Sequence, residues 1–176
     1  MLTVAVLVGP GCVPDRSWAQ HDMYFAPDDR PGEALVALLA EAHRSIFVAM
    51  YGLTFPPAVQ ALSAARKRGI DVRVLTDRER LNDPKQARAV EILRGLGIPV
   101  RINRHEHLMH LKMVVIDGRL NASGSMNFTA SGDHYNDERL DVFRDVASSE
   151  RAAQQFLRLW NDQERTVDLR EVGASR

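Results

Sequence analysis

His110 and Lys112 stand two residues apart at the head of an apolar run, Met113-Val114-Val115-Ile116, which ends at Asp117. In an extended chain, positions i and i+2 face the same way. A strand over about residues 108–116 therefore sets an imidazole beside an ammonium. The imidazole can attack or carry a proton near neutral pH, and the ammonium is a fixed positive charge. Ser125 and Asn127 repeat the spacing a few residues later and add donors and acceptors without adding charge. Together these groups make a phosphate site. Lys112 neutralises a non-bridging oxygen, Ser125 and Asn127 hydrogen-bond the same group, and Gly124 lets the backbone approach closely. Asp117 lies seven residues from His110, so strand alternation turns it to the opposite face. With Gly118 it forms a hairpin signal, and its reading is structural support.

The pattern H-x-K-x4-D followed by G-S-x-N resembles the signature of the phospholipase D superfamily. It is matched at His110, Lys112, Asp117, Gly124, Ser125 and Asn127. The resemblance covers about residues 21–164. By length, motif and the Gly-Ser-Met-Asn-Phe-Thr segment it is nearest to the small bacterial endonuclease-like branch. It implies that His110 forms a covalent phosphohistidine and that no metal or cofactor is needed. It also implies that Glu138, in the strand after the G-S-x-N loop, orients His110, with Asp137 and Asp141 as competing acids. The family's reaction uses two histidines. One attacks phosphorus, while the other protonates the leaving oxygen and later activates water. The motif occurs once here, so the resemblance implies a homodimer with its active site on the two-fold axis. The implied activity is metal-independent phosphodiester hydrolysis, first as a non-specific endonuclease acting on DNA or RNA. The alternatives are a phospholipase D acting on phospholipid headgroups and a nucleic-acid-binding module with weak or no catalysis.

His105, His107 and His110 form H-x-H-x-x-H, but this spacing matches no zinc pattern and is read as non-metal. His105 and His107 are expected to line the pocket mouth with Arg101 and Arg104. Tyr51 and Phe128 are further aromatics within packing reach of the site, and such aromatics are more often core.

The elements that must position these groups follow from periodicity. Short strands are expected at residues 22–25, 45–50, 71–75, 98–102, 120–123 and 138–143. Helices are expected at about 33–43, 56–68, 84–96 and 147–163. The first helix carries His43 in its last turn, and the last buries Phe156, Leu157 and Trp160. Pro56, Pro57 and Pro84 suit helix starts, and Gly69 and Gly97 suit helix stops. The strand–helix cadence through residues 45–102 implies an α/β fold. Its sheet is mixed, largely parallel and sandwiched by helices, in one domain of residues 21–164. Residues 165–176 read as a mobile polar tail.

At 176 residues, one domain can bury roughly 70% of the surface its unfolded chain would expose. Net charge is zero, yet residues 60–112 hold 12 Lys/Arg against 6 Asp/Glu, a basic excess that suits an anionic substrate. Cys12 is the single cysteine, which excludes an intrachain disulfide and a cysteine metal site. No apolar run is long enough to span a bilayer. Residues 1–20 read as a signal segment or an extra strand. Leu2–Val8 is apolar, and Ser17-Trp18-Ala19 offers a cleavage site, which favours a periplasmic or secreted location over a cytoplasmic one.

Overall fold

The computed structural model describes residues 20–173. The segment expected to be a signal or extra strand lies outside these residues, apart from Gln20. Eight strands form one sheet in the order β1-β7-β6-β5-β2-β3-β4-β8. They are β1 (Gln20–Ala26), β2 (Ser45–Met50), β3 (Asp71–Thr76), β4 (Val100–Asn103), β5 (Lys112–Ile116), β6 (Leu120–Gly124), β7 (Glu138–Arg144) and β8 (Thr166–Asp168). The helices are α1 (Pro31–Ala40), α2 (Pro56–Lys67), α3 (Pro84–Gly95), α4 (Ala130–His134), α5 (Val146–Asn161) and α6 (Leu169–Gly173).

Side-chain alternation divides the apolar residues between two layers. Val48, Met50, Val114, Ile116, Ala122 and Val142 face one side and pack with Leu35, Leu62 and Leu93 of α1, α2 and α3. Ala49, Met113 and Val115 face the other side, where α5 lays Phe156 against them. All five residues of β5 are buried, which explains its unbroken apolar run. Prolines open α1, α2 and α3, where a missing N–H costs nothing. Asp83 and Asp145 cap α3 and α5 by accepting from Lys85 N and Ser148 N at 2.9 and 2.7 Å.

The mixed sheet flanked by helices is as expected, but its parallel part is smaller. Only β2–β3 and β3–β4 pair in parallel. The βαβ cadence ends at β4, and the motif strands β5, β6 and β7 pair antiparallel with their neighbours, β5 and β6 as a hairpin. The first helix is also shorter, so His43 lies beyond it. Residues 166–173 form no loose tail. β8 pairs antiparallel with β4, and Arg101 fastens it by donating to Thr166 Oγ1 and to the Thr166 carbonyl at 2.9 and 2.7 Å. Trp160 of α5 is half-buried beneath the same guanidinium. Among the described residues no helix is long and apolar enough to cross a membrane.

Candidate active site

The parallel strands β2, β3 and β4 end at the edge of the sheet where β5 begins, with Met50 opposite Lys112. β6 ends and β7 starts at the same edge, with Gly124 opposite Leu140. The motif residues other than Asp117 therefore gather outside the carboxyl ends of the parallel strands, where open α/β sheets usually place a ligand. Gly124 has a steric reason. A Cβ there would run into the Arg139 carbonyl oxygen of the neighbouring strand.

β5 starts at Lys112, so His110 sits in the approach to the strand rather than within it. Leu111 still accepts a backbone bond from Tyr51 N at 2.9 Å, which keeps the segment extended beside β2. His110 is exposed, whereas Lys112 is only 8% exposed. The Lys112 ammonium lies 3.1 Å from Nδ1 and 3.0 Å from Nε2 of His110, and it donates to the His110 carbonyl at 3.0 Å. Tyr51 lies close to both groups. Its ring meets the imidazole edge-on at 4.7 Å between centroids, and the ammonium lies 5.2 Å from its centre.

Residues 125–128 alternate as a strand would. Met126 and Phe128 are 1% exposed, while Ser125 is exposed and Asn127 half-buried. Asn127 Oδ1 accepts from Gly52 N at 3.0 Å, so its amide NH2 is the end left for a ligand. The Ser125 hydroxyl donates to Glu138 in a short hydrogen bond and accepts from Arg139 N at 3.1 Å. Glu138 also accepts from Asn136 Nδ2 at 3.3 Å. Among the described residues no hydrogen bond joins Glu138 to His110. Its charge acts on Lys112 instead. Burial pushes the Lys112 pKa below its ordinary value, and the nearby Glu138 carboxylate opposes that shift. Asp141 faces away and binds Arg139 and His21 at 2.6 and 2.8 Å, and Asp137 is exposed.

Asp117 lies at the far end of β5, in the turn. Both Asp117 and Gly118 have positive φ, 54° and 66°, at the centre of a turn that Arg119 N closes on the Ile116 carbonyl at 3.0 Å, between the paired Ile116 and Leu120. The carboxylate accepts from the backbone N–H of His43, Arg44 and Ser45 at 2.9, 2.7 and 2.8 Å, tying the hairpin to the entry of β2. Burial raises its pKa, but these three bonds and the Arg44 charge together leave it below the ordinary value.

Four supporting side chains carry no motif and were not anticipated. Asp77, fully buried just beyond β3, accepts from Met109 N at 2.7 Å and Glu79 N at 2.9 Å. Asn103 at the end of β4 donates to the His107 carbonyl at 2.8 Å and accepts from Arg78 N at 2.7 Å. These two fix the loop that delivers His110. Gln86 and Thr76, both fully buried, bond each other at 2.8 Å. Gln86 then accepts from Leu53 N at 2.6 Å, and Thr76 donates to the Met50 carbonyl at 2.8 Å, which shapes the segment bearing Tyr51. His105 and His107 ride on the loop held by Asn103. Arg101 and Arg104 turn from the expected pocket mouth to residues 163–166. Among the described residues no three His, Cys, Asp or Glu side chains form a group able to hold a metal ion.

A family model described as "Cardiolipin synthase, PLD-like domain" matches residues 35–160. The chain belongs to the phospholipase D superfamily. Among its superfamily relatives, it is 32% identical over 130 residues to mitochondrial cardiolipin hydrolase of Xenopus tropicalis, covering 73% of this chain. It is 32% identical over 133 residues to phospholipase D of Rickettsia conorii, covering 76%. The chain spans 60% and 66% of the length of these relatives. Its structure is similar to Nuc of Salmonella typhimurium, a phospholipase D family member. The TM-score is 0.79 at 25% identity, over 85% of this chain and 97% of Nuc. NucT from Helicobacter pylori shares the fold, with a TM-score of 0.74 at 19% identity over 80% and 95% of the two chains. The site thus lies in a domain of the phospholipase D superfamily.

Proposed function

We propose that the chain hydrolyses phosphodiesters without a metal, through a phosphohistidine on His110, at a site completed by a second copy. The observation that supports this most is the Lys112 ammonium set within 3.1 Å of both ring nitrogens of His110. A phosphate seated there meets its nucleophile and its counter-charge together. Asn127 adds a neutral donor. Such fixed donors act where charge develops in the five-coordinate transition state. The phosphate competes with the imidazole for the ammonium. Glu138, whose charge reaches that ammonium, then serves as acceptor for the ring nitrogen that does not attack. In the first step His110 bonds phosphorus as the leaving oxygen departs with a proton from the partner's His110. In the second, the partner's His110 takes a proton from water, which displaces the imidazole.

A nucleic acid is the first substrate reading. His110 is exposed at the sheet edge, where a long strand can pass, and the basic excess lies in residues 60–112. The second is a phospholipid, favoured by the names of the curated relatives, cardiolipin hydrolase and phospholipase D. Incubation with plasmid DNA, RNA or phospholipid vesicles in EDTA tests both. Hydrolysis in EDTA, abolished by His110→Ala, is the expected result. Activity that EDTA removes would overturn the metal-free mechanism.

A further inference from the structure

A concavity of about 590 Å³ lies at the edge of the sheet opposite His110. Its walls come from the β5–β6 turn, the entry of β2 and the join of β7 to α5. The register brings these parts level, with Ile116 paired to both Ile46 and Leu120. Asp117 at its rim is seven residues of extended chain from His110, roughly 20 Å. Three guanidiniums line it, Arg44, Arg119 and Arg144, which the sequence keeps far apart. Arg44 is anchored by donating to the Asp117 carbonyl at 2.7 Å. Arg144 reaches Asp22 in a long ion pair of 3.6 Å. Arg119 carries no ion pair among the described residues. Two carboxylates share the lining. That of Asp117 is taken up by the backbone N–H groups of His43, Arg44 and Ser45. That of Glu150, on α5, is exposed and has no ion pair among the described residues. Val146 adds apolar surface and is 52% exposed.

We infer that this concavity is a second anion site, separate from the one at His110, and that its ligand is a small phosphorylated sugar. Guanidiniums bind phosphate oxygens through paired N–H donors. Three of them, from three parts of the fold, can share one phosphate dianion. The volume is in the range of small-molecule pockets and exceeds what a bare phosphate fills. Glu150 selects the rest of the ligand. Its carboxylate repels a phosphate but accepts a hydrogen bond from a hydroxyl, so it favours a hydroxylated ester over the free anion. The inference does not depend on what is hydrolysed at His110.

The test titrates the full ¹⁵N-labelled chain with ribose 5-phosphate and, separately, with inorganic phosphate, and follows backbone amide shifts. The amides of Asp117, Arg119 and Val146 should move together and saturate with a Kd of about 1 mM or tighter for ribose 5-phosphate, and more weakly for phosphate. Arg119→Gln and Arg144→Gln should each weaken ribose 5-phosphate at least about tenfold, the loss of one charge-assisted contact. Both arginines are exposed, so an unchanged urea midpoint shows that these variants fold. Arg158→Gln, also exposed on α5 but outside the concavity, should bind as the wild type does. Glu150→Ala removes a repelling charge, so it should tighten phosphate and shrink the preference for ribose 5-phosphate. Shifts confined to the amides of Ser125 and Asn127 would place the anion at His110 alone and overturn the inference. So would a Kd that Arg119→Gln and Arg144→Gln leave unchanged, one that Arg158→Gln weakens equally, or equal wild-type affinity for the two ligands.

Discussion

Asn127 and Glu138 show how single side chains divide the work around His110. Asn127 Oδ1 accepts from Gly52 N, so its orientation is set by a backbone donor and the NH2 end is left for a ligand. Glu138 is tied to Ser125 and Asn136 and supplies the charge that partly offsets the burial of Lys112. That offset has a direction that can be measured. Burial favours the neutral amine, and the carboxylate favours the ammonium. Replacing Glu138 by Gln removes the second effect alone, so the Lys112 pKa falls further. In the proposed reaction Lys112 must be protonated to hold a phosphate, and in the variant it loses its proton at a lower pH. The alkaline limb of the pH–kcat/KM profile should move to lower pH in Glu138→Gln, with the acidic limb much less affected. An alkaline limb identical to that of the wild type would separate Glu138 from Lys112. The steric demand at Gly124 belongs to the same scale, because one added methyl collides with the Arg139 carbonyl oxygen.

At the scale of elements, the loop before β5 and the hairpin after it are held by carboxylates that accept backbone N–H bonds. Asp77 holds Met109 N and Glu79 N. Asp77→Ala leaves the buried Met109 N unpaired, at a cost of about 1–3 kcal/mol. It also frees His110 to drift, and small misplacements of a reacting group lower kcat by roughly 10²-fold. The expected result is a fall in kcat with KM nearly unchanged, read from steady-state kinetics beside a urea melt. An unchanged kcat despite lost stability would confine Asp77 to folding. Asp117 acts at the opposite end of β5, so Asp117→Asn should spare kcat and lower stability by about 1–3 kcal/mol at pH 7. The sign of its pH dependence follows from a native pKa below the ordinary value of 3.8. The contribution is complete above that value and is lost as pH falls through the lower native one. The gap in urea midpoint between wild type and Asp117→Asn should therefore narrow on acidification. The sequence made the hairpin legible because Asp117-Gly118 is a local signal, and it made residues 125–128 legible because polar and apolar positions alternate. Asp77, Asn103, Thr76 and Gln86 were not legible. Their partners on the backbone lie up to 35 residues away, and no local period marks a polar side chain as buried.

Across the whole molecule, the sheet sets what one chain can supply. Its core elements were readable from runs such as Ser45–Met50 and Lys112–Ile116. β8 was not, because three residues of mixed polarity become a strand only by pairing with β4 more than sixty positions earlier. The site edge brings together one His110, one Lys112 and one Asn127, whereas the proposed phosphohistidine chemistry needs an attacking imidazole and a separate acid. The proposed two-fold dimer supplies the second imidazole from the same surface of another copy. This predicts a particular dose response. When wild type and His110→Ala are mixed in equal amounts and allowed to exchange subunits, random pairing makes about one quarter of the dimers wild type on both sides. If each phosphate needs two His110 side chains, a dimer with one alanine is inactive. Activity should then fall to about a quarter of that of the same total concentration of wild type, and not to the half expected of independent sites. Sedimentation velocity on the same samples should show dimers throughout. Activity at half, or full activity in a sedimenting monomer, would mean that one chain supplies both proton transfer and attack.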